Sequence, residues 1–206
     1  GEPGRPQVLG ASTTAVHHNV DLLVPFTQAP LKVTIRFDGE GRVDDFRIDA
    51  YAPVPVAGDP PYADPESFTE KEVVIGEAPW ALPGTLTLPA GEGPFPAVVL
   101  VHGSGPSDRD ETAYAVKPFR DLAQGLAARG IATLRFDKRT FVHSQKFGAN
   151  PQYTIQQESV EDALAAVRLL AADDRIAAGQ IYVLGHSLGG LALPRILAQD
   201  EDGLIR

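Results

Sequence analysis

Residues 181–190 read IYVLGHSLGG, and this stretch decides the fold. Its first four residues form an apolar run of the kind found in strands that are covered on both faces. The next five, GHSLG at 185–189, have the Gly-x-Ser-x-Gly spacing of a nucleophile elbow, in which a serine occupies a tight turn between a strand and a helix. Glycine at both ends of the motif avoids side-chain clashes in such a turn. The stretch therefore predicts that Ser187 is a nucleophile at the N-terminal end of a helix.

A second motif lies far upstream, where HGSG at 102–105 follows the apolar run AVVLV at 97–101. Acyl-transfer enzymes bind the oxyanion of the tetrahedral intermediate with two backbone N–H groups, one from the residue after the nucleophile and one from a loop after an earlier strand. We expect Leu188 to supply the first N–H group, and Ser104, or Gly105 next to it, to supply the second. The other motif residues are expected to support these groups: His102, Gly103, Gly105, Gly185, His186 and Gly189. We call residues 102–105 the glycine-rich loop and residues 185–189 the elbow.

The segment from residue 67 onward alternates between strand and helix patterns. EVVIG at 72–76, GTLTLP at 84–89 and IATLRFD at 131–137 are short runs typical of strands. KPFRDLAQGLAARG at 117–130 and TIQQESVEDALAAVRLLAA at 154–172 carry apolar residues at helical spacing. In the second of these, Thr154 and Gln157 have the spacing of a capping box. Strands separated by helices predict an α/β fold, with a mostly parallel sheet and helices on both faces.

The N-terminal part of the chain has a different pattern. Apolar and polar residues alternate at 31–37, DGEG at 38–41 supplies turn residues, and a second apolar pattern follows at 43–50, which together predict a β-hairpin. PVPVAGDPPYADP at 53–65 holds five prolines and predicts a stiff, extended connector. We therefore expect a small N-terminal domain at 1–52, a connector at 53–66 and a second domain at 67–206, the alternative being a proline-rich surface loop within one domain.

Several of these stretches together resemble a known family. They are FTEKEVVIG, LPGTLTLP, FPAVVLVHGSGPSDRDET, KPFRDLAQGLAARGIATLRFDKRTF and VLGHSLGG. They look like the α/β-hydrolases, and within them the bacterial serine esterases that carry a small domain of unknown function before the hydrolase domain. The resemblance implies an α/β-hydrolase fold and hydrolysis of carboxylic esters with short acyl chains. It also implies Ser187 as the nucleophile, the Ser104 loop in the oxyanion hole, and no metal or organic cofactor.

The chain departs from that family at the base and the acid of the catalytic triad. In the family these follow the serine in the order Ser, Asp or Glu, then His. The five histidines here are His17, His18, His102, His143 and His186, and none lies after Ser187. We therefore expect the chain to be a piece of a longer one, cut at both ends, with a second chain or a missing C-terminal segment completing the sheet and the triad.

Charged residues near the two motifs have structural interpretations as well as functional ones. Asp108, Arg109 and Asp110 are expected to form an exposed, ion-paired loop, the alternative being a lining for the substrate entrance. Asp137 and Arg139 are expected to pair with neighbours, and Asp137 is not expected to be the triad acid. His102 and His186 are expected to make structural hydrogen bonds within their motifs.

Composition limits the classes of partner. The 206 residues carry a net charge of -9 with no basic stripe, so we expect a small neutral or cationic ligand and neither a nucleic acid nor an anionic membrane surface. No apolar run has the length of a transmembrane helix, and no cysteine is present. Nothing in the sequence assigns a compartment. Besides an esterase, two hypotheses stay open: a non-catalytic hydrolase-like binding module, and a peptidase or acyltransferase on the same fold.

Overall fold

The computed structural model describes residues 4–13, 18–27, 29–51, 58, 60–144, 146 and 152–206. Their contacts divide the chain into two compact units, residues 1–55 and 56–206. Most of the N-terminal half of the proline-rich connector, residues 53–57 and 59, lies outside the described residues.

The first unit is a four-stranded antiparallel sheet in the order β1-β2-β3-β4. Its strands are β1 (Gln7–Thr13), β2 (His18–Val24), β3 (Leu31–Phe37) and β4 (Val43–Ala50). The predicted hairpin corresponds to β3 and β4, and at its turn the N–H group of Asp38 donates to the carbonyl oxygen of Arg42 at 2.9 Å. The sequence analysis did not predict β1 and β2. Apolar residues do alternate in β2, but β1 is exposed along its whole length and has no apolar pattern.

The second unit is built around a five-stranded sheet in the order β5-β6-β8-β7-β9. Its strands are β5 (Phe68–Ile75), β6 (Leu82–Pro89), β7 (Phe95–Val101), β8 (Ala132–Phe136) and β9 (Ile176–Gly185). Its α-helices are α1 (Pro118–Ala127), the single turn α2 (Arg139–Val142), α3 (Glu161–Ala171) and α4 (Leu188–Ala198). A 3-10 turn (Pro65–Ser67) precedes β5, and a π-helical turn (Gln156–Val160) leads into α3.

The sheet is mixed. β7 lies between β8 and β9 and is parallel to both, whereas β6 is antiparallel to β5 and to β8. The carboxyl ends of three neighbouring strands, β8, β7 and β9, therefore meet at one edge of the sheet. The glycine-rich loop follows β7 and the elbow follows β9, so the topology brings the two predicted motifs to the same edge.

Helices cover both faces of the sheet, as the sequence predicts. Along β7, the alternate residues Ala97, Val99 and Val101 belong to the main core, which α3 and α4 close with residues such as Val167 and Ile196. Leu100 points to the opposite face and packs with Phe119 and Ala123 of α1. None of the helices in the described part of the chain is long and apolar enough to cross a bilayer.

The predicted helix boundaries are also found locally. The side chain of Gln157 accepts from the N–H group of Thr154 at 3.0 Å, which is one half of the predicted capping box. The hydroxyl of Thr154 accepts from the N–H group of Gln156 at 3.2 Å, one residue earlier than in a strict capping box. At the other helix, Gly130 lies just beyond α1 with a φ of 83°, a left-handed conformation that suits glycine and ends a helix.

The outer edge of β9 is sparsely paired. Among the described residues, it forms one bridge, between Ile181 and Ile205, where the N–H group of Arg206 also donates to the carbonyl oxygen of Ile181 at 2.9 Å. Tyr182 and Leu184 on this strand are each 39% exposed.

Candidate active site

Ser187 occupies the junction between β9 and α4 in an unusual backbone conformation. Its φ is 49° and its ψ is -110°, although the residue has a side chain. Such a conformation costs about 1–3 kcal/mol and persists only where the surrounding structure imposes it. The side chain is exposed at the N-terminal end of α4. The sequence predicts this position, in a tight turn at the N-terminal end of a helix.

The two glycines of the elbow explain how the turn is imposed. A Cβ atom added to Gly185 would lie 2.3 Å from the carbonyl carbon of Gly189, and one added to Gly189 would lie 2.3 Å from the carbonyl oxygen of Val101. Real Cβ atoms do not approach other atoms so closely. The backbones of β9, α4 and β7 are therefore packed against each other at both glycines, and this packing holds Ser187 between them.

The glycine-rich loop lies beside the elbow. Val101, the last residue of β7, is paired with Gly185, the last residue of β9, and its carbonyl oxygen accepts from the N–H group of His186 at 2.9 Å. Within the loop, Gly103 is buried, whereas Ser104 and Gly105 are exposed. The sheet therefore brings together the two motifs that the sequence analysis singled out.

Backbone donors at this junction lack partners. In the described ranges, no hydrogen bond occupies the N–H group of Leu188, the first residue of α4, or those of Ser104 and Gly105. Gly103 differs, because its N–H group donates to the carboxylate of Glu111 at 2.7 Å. The N–H groups at the two predicted positions, Leu188 and Ser104 or Gly105, are thus among those open to a ligand.

Glu111 links the loop to the elbow. The same oxygen that accepts from Gly103 lies 2.9 Å from Nδ1 of His186, and because a carboxylate only accepts, Nδ1 carries a proton here. Glu111 itself has a φ of 51°, a conformation uncommon for a residue with a side chain. The sequence analysis did not single out Glu111. The only signal was an acidic residue close after the glycine-rich loop.

Lys138 binds the carbonyl oxygens of the glycine-rich loop, whereas Glu111 binds one of its N–H groups. Lys138 follows β8 and is only 2% exposed. Its ammonium donates to the carbonyl oxygens of Gly103 at 2.7 Å and Gly105 at 3.1 Å, and it pairs with the carboxylate of Glu158 at 2.6 Å. Lys138 was not predicted either, because nothing in its own sequence pattern distinguishes it from its charged neighbours Asp137 and Arg139.

His102 is a structural residue in this site. It is 1% exposed, packs its ring against Phe119 and Phe136, and donates from Nε2 to the carbonyl oxygen of Asp108 at 3.0 Å. Burial lowers the pKa of His102 to about 4, since removal from water disfavours the charged ring. The imidazole is therefore neutral at pH 7.

Ion pairs surround the loop that follows. Arg109 pairs with Asp137 at 3.0 Å and with Glu72 at 2.6 Å, and Asp110 pairs with Lys117 at 2.8 Å. Arg139 forms a buried pair with Asp162. The loop is ion-paired as expected, but it is partly buried and not exposed: the side chains of Arg109 and Asp110 are only 19% and 14% exposed. The contacts favour a structural role for 108–110 over a substrate entrance, and for Asp137 and Arg139 over a triad acid.

The described part of the chain supplies no base to the serine. No hydrogen bond there joins the hydroxyl of Ser187 to a histidine: His18 bonds to Thr13, His143 to the carbonyl oxygen of Ala81, and His186 to Glu111. No group of three or more potential metal ligands occurs among these residues either.

Comparison with known proteins finds similarity over the part of the chain that holds both motifs. The model of the alpha/beta hydrolase family matches residues 98–205, more than half of the chain, and its match includes the glycine-rich loop and the elbow. The esterase EstD of Thermotoga maritima is 48% identical over 148 residues, which are 71% of this chain and 34% of that protein. The chain thus spans about a third of the length of this curated relative.

Solved structures share the fold. A dienelactone hydrolase from Anabaena variabilis superposes with a TM-score of 0.52 at 22% identity, over 68% of this chain and 61% of that one. The bacterial brefeldin A esterase gives a TM-score of 0.50 at 24% identity, over 73% of this chain and 40% of that one. Oligopeptidase B from Leishmania major gives a TM-score of 0.51 at 12% identity, over 90% of this chain and 25% of that one. At these identities the likeness concerns the fold alone.

Proposed function

The chain belongs to the alpha/beta hydrolase family, and from this premise we propose that the whole protein is a serine carboxylesterase that hydrolyses small esters with short acyl chains. The observation that carries the proposal is the strained, exposed Ser187 beside a glycine-rich loop with free N–H groups. The 48% identity to a protein named as an esterase supports the same reaction.

The proposed reaction runs through an acyl-enzyme. The hydroxyl oxygen of Ser187 attacks the ester carbonyl carbon, and the negative charge that develops on the carbonyl oxygen is bound by the N–H groups of Leu188 and Ser104. The alcohol leaves with a proton, and the serine ester is then hydrolysed by water. No step of this reaction requires a metal or an organic cofactor.

The proton of Ser187 needs a base. None of the described histidines bonds to Ser187, and the family places its acid and its histidine after the serine. We therefore assign the base to a histidine outside these 206 residues, in a following segment or on a second chain. Its imidazole takes the proton of Ser187 during attack and returns it to the leaving alcohol.

The test is replacement of Ser187 in the whole protein. Ser187→Ala should lower kcat for p-nitrophenyl acetate by about 10³-fold or more and abolish labelling by a fluorophosphonate, because both require the activated hydroxyl. Ser104→Ala is the matched control, since it retains the backbone N–H group, and it should keep most of the activity. Undiminished ester hydrolysis by Ser187→Ala would exclude the proposed nucleophile.

The same assays separate the alternatives. A peptidase or an acyltransferase would still be labelled at Ser187, but it would prefer a peptide anilide or an acceptor alcohol to the simple ester. A binding module would show neither labelling nor turnover. Either outcome would overturn the esterase assignment.

A further inference from the structure

Gly103 is held by charged side chains at both of its backbone polar groups. Its N–H group donates to Glu111 at 2.7 Å, and its carbonyl oxygen accepts from the ammonium of Lys138 at 2.7 Å. We propose that Lys138 is a positioning residue that fixes the peptide between Gly103 and Ser104, so that the N–H group of Ser104 faces the oxyanion. The inference rests on the proposed function, because it concerns the donor that Ser104 supplies to that reaction.

The geometry of the peptide unit carries the argument. The cis bonds of the described residues both precede prolines elsewhere in the chain, so the Gly103–Ser104 peptide is trans. In a trans peptide the C=O and N–H groups point in opposite directions. Since Lys138 binds the carbonyl oxygen of Gly103, the N–H group of Ser104 points away from Lys138. Ser104 is exposed, whereas Lys138 is buried, so this N–H group is directed toward the open side of the loop.

Lys138 is suited to hold this orientation. An ammonium has three N–H donors, and here they meet three acceptors: the carbonyl oxygens of Gly103 and Gly105 and the carboxylate of Glu158. Glu158 balances the charge, which makes burial of the ammonium tolerable. The backbone N–H group of Lys138 also donates to the carbonyl oxygen of Ser107 at 3.0 Å, so main chain and side chain both attach the loop to the end of β8.

The loop needs such an anchor because glycine offers little resistance to rotation. Without a Cβ atom, Gly103 has several backbone conformations of similar energy, and so does Gly105, which already has a φ of 88°. If the Gly103–Ser104 peptide turned over, the carbonyl oxygen would face the developing oxyanion and repel it. Lys138 therefore acts on the transition state more than on the bound ester, whose neutral carbonyl needs the donor less.

The inference is tested with Lys138→Met in the whole protein, assayed with p-nitrophenyl acetate and with an arylboronic acid that forms a tetrahedral adduct on the serine. We expect kcat to fall about 10²–10³-fold, the range seen when one oxyanion donor is removed, with KM changed less than threefold. The inhibition constant of the boronic acid should rise by a similar factor. Lys71→Met, at an exposed lysine of β5, is the matched control and should leave all three values unchanged.

A second variant covers the case in which Lys138→Met does not fold. Glu158→Gln keeps an oxygen acceptor for Lys138 but removes the balancing charge, which should loosen the ammonium and lower kcat by about tenfold at constant KM. Unchanged kcat and boronic acid affinity in a folded Lys138→Met protein, or unchanged kcat in Glu158→Gln, would overturn the inference. If Ser187→Ala is inactive while these variants are not, the inference fails and the proposed function stands; if Ser187→Ala is active, the proposed function itself fails.

Discussion

Gly189 and Val101 lie so close together that a Cβ atom on Gly189 would be 2.3 Å from the carbonyl oxygen of Val101. The two residues belong to different elements, the first turn of α4 and the end of β7. Their contact sets how near the elbow can approach the glycine-rich loop, and so how near the serine hydroxyl lies to the N–H groups that we propose bind the oxyanion. Packing between two backbones, more than any side chain, defines this distance.

Gly189→Ala is expected to disrupt the site. The added methyl group has to displace the end of β7 or the start of α4, which should lower the free energy of unfolding by about 3 kcal/mol and abolish fluorophosphonate labelling. Thermal unfolding and probe labelling measure the two effects. Gly190→Ala is the matched control, because its Cβ atom would come no closer to any atom than 3.3 Å, the distance to the carbonyl oxygen of Gly185. Equal losses of stability and of labelling in the two variants would show that the contact between Gly189 and Val101 has no special importance.

Ser187→Gly should stabilise the protein while inactivating it. Glycine adopts the left-handed φ of 49° at little cost, so the substitution removes strain of about 1–3 kcal/mol, part of which is offset by the greater freedom of glycine in the unfolded chain. We expect the melting temperature to rise by about 2–4 °C. Ser187→Ala keeps a Cβ atom and should show no such rise. A lower melting temperature for the glycine variant than for the alanine variant would show that the conformation is not strained.

Glu111→Ala should weaken both the loop and the elbow. It leaves the buried N–H group of Gly103 without an acceptor and removes the partner of His186, which should cost about 1–3 kcal/mol of stability and reduce kcat. Glu111→Gln retains one carbonyl oxygen as an acceptor, so it should lose less stability and less of kcat than Glu111→Ala. Urea unfolding and esterase kinetics on the two variants check the order. Identical losses would mean that the hydrogen bonds of Glu111 contribute nothing specific.

His102 should make the protein sensitive to acid. Burial lowers the pKa of His102 to about 4 in the folded protein, from about 6.5 in the unfolded chain. Below pH 6.5 the unfolded chain therefore binds the proton more readily, and stability falls by up to about 3 kcal/mol as the pH drops from 6.5 toward 4. Unfolding free energies across this range measure the slope. His102→Gln keeps a donor for the carbonyl oxygen of Asp108 but cannot bind the proton. Measured relative to its own stability at pH 8, this variant should lose less stability on acidification. An unaltered slope of stability against pH would assign the acid sensitivity to other groups.

The sequence predicts the parts of the site that depend on local pattern. The elbow is predicted by Gly185, Ser187 and Gly189, because the turn tolerates few other residues at these positions. The glycine-rich loop is predicted by HGSG after a buried strand. The helical spacing of Phe119 and Ala123 and the capping box at Thr154 are likewise local. The strand–helix junction at Ser187, the helix through Phe119 and Ala123 and a cap at Thr154 lie where the sequence places them, and the catalytic roles of the elbow and the loop stay predictions.

The parts that were missed depend on contacts between distant segments. A lysine in a polar stretch is normally exposed, so the burial of Lys138 follows only from the three acceptors that the glycine-rich loop and the π-helical turn bring to it. Glu111 acquires its position through a left-handed backbone that its residue type does not favour. The antiparallel pairing of β6 with β8 is also non-local, since β7 lies between them in sequence.

The parallel pairing of β7 with β9 also imposes an order on folding. Only α1 separates β7 from β8, whereas the described residues before β9 also include α2 and α3. The pairing of β9 with β7 therefore closes the longer loop and costs more conformational entropy. During synthesis, the glycine-rich loop and Lys138 can assemble before the elbow has left the ribosome. Because the contacts of Gly185 and Gly189 impose the conformation of Ser187, we expect Ser187 to adopt its strained φ only after β9 has docked against β7.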